Sequence, residues 1–286
     1  MTKSYNKSPL NYIGGKGKLL PQILPLFPKG INTFVDLFCG GCAVGLNTDA
    51  NKIIFNDNLT YLIDMYKQFK EVGYNIVSEH ISKRINEFNL SKTNTEGYNS
   101  LRDLYNKDRN HLDLFVIACF SFNHQIRFNE KHELNISHAK NRSIFNKSID
   151  NNLKQFIEII QKDNTFFTNE DFNEFQIEKL GKTDFVYCDP PYLIAFGTYN
   201  EKRGFKTWTQ KEECQLLMLL DKLHNNNIKF ALSNLIEYKG LKNKILYEWI
   251  KLNDFNINYL DVDYSKSNYQ SKNTDKRTVE VLIANY

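Results

Sequence analysis

Residues 184–199, DFVYCDPPYLIAFGTY, place a carboxylate, two prolines and a tyrosine directly after an apolar run, and then continue into a glycine-containing aromatic segment. Two successive prolines fix the backbone and remove two N–H donors, so carbonyls near Asp189 and Pro190 can be held as rigid acceptors. A carboxylate acceptor beside a fixed carbonyl suits a primary amine with two N–H groups, and Tyr192 offers a ring face to a flat base. The implied substrate is an exocyclic amino group on a nucleobase. A proline turn with a capping aspartate is the plainer alternative for the same residues.

Those side chains need elements to position them. TFVDLF (33–38) and KIIFND (52–57) read as strands, with CGGCAVGLN between them turning on glycines into a helix. Helical patterns follow at 58–72, 75–88, 95–107 and 112–122. Strand signals return at 165–170, 185–189, 228–234, 256–262 and 279–286, with helices near 209–226 and 241–251. Alternating strands and helices at both ends predict a mostly parallel α/β sheet, which binds ligands at its carboxyl edge. The helical middle, roughly 60–160, is then an insertion. No internal repeat or long low-complexity linker is present.

The glycines of FVDLFCGGCAVG supply the second site. A strand ends at Phe38, Gly40, Gly41 and Gly45 follow, and Asp57 closes the next strand. A tight glycine turn lets a ligand approach the backbone, and an acid ending the second strand can bind both ribose hydroxyls. The spacing departs from G-x-G-x-x-G, so a dinucleotide is not favoured. Cys39 and Cys42 also form a C-x-x-C between strand and expected helix, the placement of a thioredoxin-like redox pair, but such a small domain would leave DPPY unexplained. Cys119, His124, His132 and His138 have no zinc-ligand spacing, and no metal is expected.

Composition narrows the classes further. The chain has 286 residues, 41% hydrophobic, and 5 cysteines scattered without a disulfide framework. It has no apolar run long enough for a bilayer and no apolar signal core at the N-terminus, so a cytoplasmic protein is expected, with no membrane partner. The net charge of +4 is uneven. Residues 1–35 carry five lysines and no acid; 123–148 carry five Lys/Arg against Glu130 and Glu133; 264–278 carry four against Asp275. Lysine-rich loops are often only solvated surface, but three such stretches suit a polyanion, because phosphate neutralisation is the sequence-independent part of nucleic-acid affinity.

In this order, NYIGGKGKLL (11–20), FVDLFCGGCAVG (34–45), FND (55–57) and DPPY (189–192) resemble the Dam-type DNA adenine-N6 methyltransferases that use S-adenosyl-L-methionine. FNHQIRFNEKHELN (122–135) is similar to that family's DNA-contacting hairpin, and TNEDF (168–172) to its adenine-side cofactor segment. The resemblance implies an α/β, Rossmann-like methyltransferase sheet with an inserted, mostly helical target-recognition domain. Residues 1–60 and 161–286 would form the catalytic domain, and 61–160 the recognition domain with its hairpin near 123–148.

Carried over residue by residue, Tyr12 and Lys16 would lie over the cofactor, Phe38 and Gly40 would line the glycine turn, and Asp57 would hold the ribose. Asp171 and Phe172 would flank the cofactor's adenine. Asp189, which also borders the cofactor, would clamp the flipped target adenine with Tyr192 and the Pro190 carbonyl. Arg127, Asn129, Lys131, Asn135, His138, Lys140 and Arg142 would supply donors to phosphates and base edges, while Phe128 would wedge where the adenine leaves. Double-stranded DNA is the implied partner, and a cognate restriction endonuclease a candidate one. Many family members continue with an N-V-P-F-G-like segment where this chain has Asn135-Ile136-Ser137-His138-Ala139. The target therefore stays open between GATC and another short sequence. An RNA or protein methyltransferase on the same cofactor fold, a non-catalytic DNA-binding regulator and, more remotely, a nicotinamide oxidoreductase remain the alternatives.

Overall fold

Strand β1 (Ile31–Asp36) is buried at every position but Asn32, the pattern of a strand covered on both faces. It pairs in parallel with β2 (Ala50–Asn56) on one side and β4 (Phe185–Cys188) on the other. A computed structural model of the chain, describing residues 4–196, 208–261 and 277–286, sets these strands in one sheet of order β3-β2-β1-β4-β5-β8-β7. The remaining members are β3 (Thr165–Thr168), β5 (Lys229–Tyr238), β7 (Asn256–Leu260) and β8 (Thr278–Ala284), with β6 (Leu241–Lys242) turning back on β5. The first five strands run parallel, and β8 is antiparallel to both β5 and β7.

Because β1 has β2 on one side and β4 on the other, the chain reverses its order there. That switch point opens a crevice at the carboxyl ends, where Asp36 ends β1 and Asp189 follows β4. The helices are α1 (Leu20–Ile23), α2 (Thr60–Glu87), α3 (Thr95–Asp108), α4 (His111–Phe120), α5 (Lys147–Ile160), α6 (Leu193–Phe196), α7 (Gln210–Asn225) and α8 (Lys244–Asn253). Among the described residues no helix is long and apolar enough to cross a membrane.

The two helices expected over 58–72 and 75–88 both form within Thr60–Glu87, parted by a kink at Gly73, whose φ of 76° lies in the region that favours glycine. The Gln161 amide donates to the Lys70 carbonyl beside this break, at 3.2 Å. Helix α5 was not assigned from the sequence, although Leu153, Phe156, Ile157 and Ile160 make a helical stripe and Asn146 caps it through Ser148 N and Ile149 N. No α-helix forms after the glycines, contrary to expectation; one 3₁₀ turn, Gly45–Asn47, is all that separates them from β2. Gly40 and Cys42 both have positive φ, and their neighbourhood spends its backbone groups on side chains instead of a helical ladder. Near the C-terminus α8 starts at Lys244, later than expected, because residues 239–242 make the turn into β6.

Helices α2 and α5 share the core of the strands. Tyr66 and Phe69 of α2 and Phe156 of α5 belong to the same buried cluster as Phe34 and Phe55, and Tyr66 and Phe167 of β3 lie 5.5 Å apart. Lys70 closes this corner. Its three N–H groups are shared among the carbonyls of Ile160, Lys162 and Thr165 and the Thr165 hydroxyl oxygen, all within 3.0 Å, tying the end of α5 to the start of β3. Lys70→Met removes the charged donor these acceptors share, leaving Ile160 O and Lys162 O to Thr165, and is expected to cost about 2 kcal/mol, read as a melting temperature lower by roughly 4–8 °C. An unchanged melting temperature would show that water replaces the ammonium there without loss.

Candidate active site

The glycine turn is held from three sides. Asp57, just past β2, accepts from Gly40 N at 2.9 Å through Oδ2 and from Leu59 N at 2.9 Å through Oδ1. Each carboxylate oxygen is thus oriented by one backbone N–H and keeps a lone pair for a further donor. Tyr66 donates its hydroxyl to the Gly40 carbonyl at 2.9 Å. Tyr12 packs against the turn: a Cβ at Gly40 would come within 2.7 Å of its ring, and with a φ of 44° the position favours glycine.

One wall of the crevice is aromatic. Phe38 follows β1, Phe172 follows β3, and their rings sit 5.5 Å apart, with Trp208 5.7 and 5.5 Å from them respectively. Buried Asn56 sets the separation of the two segments, donating to both Leu37 O and Glu170 O. Asp171 folds onto the next turn, where Oδ1 accepts from Asn173 N at 3.1 Å. Trp208 is fixed by its indole N–H to Glu213 at 2.7 Å; buried Glu213 also takes the amides of Asn234 and Asn243. Asn56 and Trp208 were not anticipated. Asn56 lies within the FND motif, and Trp208 is one of only two tryptophans in the chain.

The DPPY turn forms the opposite wall. Lys16, 5% exposed, places Nζ 2.7 Å from Asp189 Oδ1 and 3.7 Å from Glu280 Oε1, and donates to Gly14 O. The Tyr192 hydroxyl lies 3.1 Å from the same Asp189 oxygen and 3.0 Å from Glu280 Oε1, while Lys16 Nζ stands 5.0 Å from the Tyr192 ring centre. Burial pushes the Asp189 carboxyl up from its ordinary value; Lys16 opposes that rise and Glu280 adds to it. Glu280 is a residue the sequence reading missed, although an acid inside the apolar run VEVLIA is itself a signal of a paired buried carboxylate.

Asp36, also unanticipated, ends β1 at 2% exposure and accepts from Gly45 N at 3.1 Å. Burial raises its carboxyl from 3.8 to about 8, with the Gly45 N–H opposing and the Asp189 and Asp57 charges adding. The folded state therefore holds this proton more tightly than the unfolded chain. Its share of stability is full below about pH 4 and is lost as pH rises toward 8. Asp36→Asn is expected to flatten the fall in melting temperature between pH 5 and pH 8, and an unaltered slope would contradict the assignment.

Cys39 and Cys42 border the same turn, but both thiols are buried and burial pushes both pKa values up, the opposite of a reactive C-x-x-C. Among the described residues no group of three His, Cys, Asp or Glu side chains could hold a metal ion.

The segment expected to contact DNA is an irregular hairpin bridged at Ser121–His138 and Phe128–Leu134. Asn11 joins it to the N-terminal segment by donating to Asn123 O at 2.9 Å. Phe128, expected to wedge into DNA, is instead 1% exposed and stacks on Tyr61 at 4.4 Å, because it alternates inward with Leu134 to close the hairpin's own core. Asn129 shapes the tip, where its Oδ1 accepts from Lys131 N and Glu133 N. Arg127 is bonded to Asn135, and His138 stacks on Tyr98 while both ring nitrogens find partners. Lys131, Asn135, Lys140 and Arg142 are exposed. The basic segment 264–278 lies almost wholly outside the described residues.

A parallel sheet of this order, with an antiparallel strand slipped between β5 and β7 and a DPPY turn at the switch point, is a Rossmann-like methyltransferase fold. Comparison with known proteins narrows this class. The family model described as D12 class N6 adenine-specific DNA methyltransferase matches residues 12–275, and the chain belongs to that family. It is 48% identical over 286 residues to modification methylase StsI of Streptococcus sanguinis and 46% identical over 286 residues to type II methyltransferase M.FokI of Planomicrobium okeanokoites. Each match covers 100% of this chain but 44% of the relative, so the chain spans less than half the length of these two proteins. A DNA adenine methylase of Salmonella typhi is 27% identical over 235 residues, 80% of this chain and 81% of the relative.

Proposed function

We propose that the chain transfers a methyl group from S-adenosyl-L-methionine to N6 of an adenine flipped out of a short duplex DNA sequence. The observation that carries this reading is the placement of Asp189. One of its oxygens is occupied by Lys16 and Tyr192, while no bond among the described residues uses the other oxygen or the Pro190 carbonyl. An unused carboxylate oxygen followed at once in the chain by an unused carbonyl matches the two N–H groups of an exocyclic amine.

The residues of the crevice fit the cofactor. The oriented Asp57 carboxylate suits a vicinal diol, the aromatic wall of Phe38, Phe172 and Trp208 suits a purine, and Gly40 leaves room for no side chain of its own. When bound, S-adenosyl-L-methionine would supply an electrophilic methyl group on a sulfonium. Tyr12 and Lys16 would cover it, and Asp171 would border its adenine. Asp189 and Pro190 would accept hydrogen bonds from the two N6 N–H groups, drawing the amine toward a tetrahedral, more nucleophilic nitrogen, and Asp189 would take up the proton that N6 releases after transfer. Asp189 would also stabilise the positive charge that grows there, with alignment supplying much of the remaining acceleration.

Residues 61–160 would choose the DNA site, with Lys131, Asn135, Lys140 and Arg142 of the hairpin exposed to reach it, on a catalytic unit of residues 1–60 and 161–286. Arg127 and Asn129 would reach DNA only by exchanging their present bonds. The chain would act in the cytoplasm in restriction-modification, with a cognate endonuclease as partner, a reading supported by its similarity to a relative named as a modification methylase. The test is expression in a host free of adenine methylation, followed by sequencing of the host DNA for modified bases. N6-methyladenine at one recurring short sequence is expected. Unmodified DNA, together with methyl incorporation into RNA or protein, would replace this reading.

A further inference from the structure

Glu280 is an acid with 4% exposure, in the middle of a strand whose neighbours are apolar. On β8 it pairs with Leu235 of β5 and Leu260 of β7, so it enters the site from the sheet itself, with no freedom of a loop. A buried carboxylate is costly unless compensated, and the compensation here is specific: Lys16 Nζ stands 3.7 Å from Oε1 and the Tyr192 hydroxyl 3.0 Å from it. These two groups also hold Asp189 Oδ1.

The charges explain why a second acid is needed. Lys16 with Asp189 alone would sum to zero, and an ammonium 2.7 Å from the acceptor would repel the positive charge arising on a methylated amine. With Glu280 the three groups sum to −1. We propose that Glu280 is a positioning residue: it anchors Lys16 and Tyr192 on one oxygen of Asp189 and offsets the lysine's charge, so that the other oxygen faces the substrate amine from a cluster of net negative charge. This inference rests on the methyl-transfer reading above.

The test compares wild type, Glu280→Gln, Glu280→Asp and the double variant Glu280→Gln/Lys16→Met in steady-state methylation of duplex DNA, with cofactor affinity and melting temperature measured alongside. Glutamine keeps the shape and an acceptor for Tyr192 but removes the charge. Glu280→Gln is expected to lower kcat about 10- to 100-fold while the DNA KM and the cofactor Kd change by less than about 3-fold. Glu280→Asp keeps the charge and is expected to stay within about 5-fold of wild-type kcat.

The double variant separates charge from packing. Removing the ammonium as well returns the cluster to −1, so its kcat is expected to exceed that of Glu280→Gln, whereas a purely structural Glu280 makes the double variant no better than the single. Equal losses in the Gln and Asp variants, a double variant no more active than Glu280→Gln, or a Glu280→Gln enzyme at wild-type kcat would each overturn the proposal. A wild-type protein that binds the cofactor but methylates no DNA would overturn the underlying reading, and this inference with it. If Glu280→Gln fails to fold, the Asp variant decides: kcat near wild type supports the charge role, and a collapse of kcat in a folded protein refutes it.

Discussion

Asp189→Ala is expected to lower kcat at least about 10³-fold while leaving the melting temperature within a few degrees of wild type. On the proposed mechanism the side chain is the charged acceptor for the substrate amine, and its loss would remove both the hydrogen bond that makes the amine nucleophilic and the anion that stabilises the product-like charge. The fold tolerates the change because Lys16 keeps Glu280 as a counter-ion and Tyr192 keeps Glu280 as an acceptor. Asp189→Asn discriminates further: it keeps an oxygen acceptor without the charge and should recover little activity. A kcat within 10-fold of wild type for either variant would remove Asp189 from the chemistry.

Asp113→Ala is expected to be the most damaging change away from the crevice, lowering stability by about 3–5 kcal/mol, which corresponds to a melting temperature lower by roughly 10 °C. Asp113 of α4 is fully buried and accepts from His80 Nε2 at 2.6 Å, Arg84 Nε at 2.8 Å and Arg84 Nη2 at 3.1 Å, fastening α4 to the distal half of α2. The variant leaves a half-buried guanidinium with Glu87 as its remaining ion-pair partner among the described residues. Burial alone would raise the Asp113 carboxyl, but the bonds and charges of His80 and Arg84 outweigh it and hold the group below its ordinary value of 3.8. The sign follows: this group's stability is fully present above that value and is lost as pH falls through the lower folded pKa. Denaturant melts at pH 7 and pH 3 should therefore differ less for the variant than for wild type, and an equal pH dependence would assign the acid loss to other carboxylates.

Within the crevice, what the sequence discloses is what short-range chemistry specifies. Glycines after a strand, an acid closing the next strand and a proline turn after a third each have a local meaning, and Gly40, Asp57 and Asp189 were all legible. The hairpin was harder, because outward and inward residues alternate along an irregular ribbon. Phe128 reads as a wedge by its aromatic type, and only the contact with Tyr61, sixty-seven positions earlier, turns it inward. Helix α5 and the 3₁₀ turn after Cys42 show the converse error. One was a local pattern passed over, the other a helix inferred where positive φ and side-chain bonds forbid it.

By itself, then, the amino-acid order determined the parallel α/β class, the family and the acceptors of the DPPY turn, since each depends on periodicity or on residues a few positions apart. Only the tertiary structure decided that Lys16, Asp189, Tyr192 and Glu280 form one charged cluster, and that Asn56 ties together the segments carrying Phe38 and Phe172. Those relations join strands far apart in the chain through the register of the sheet, and a buried charge declares its partner only when the strands that carry both have been brought side by side.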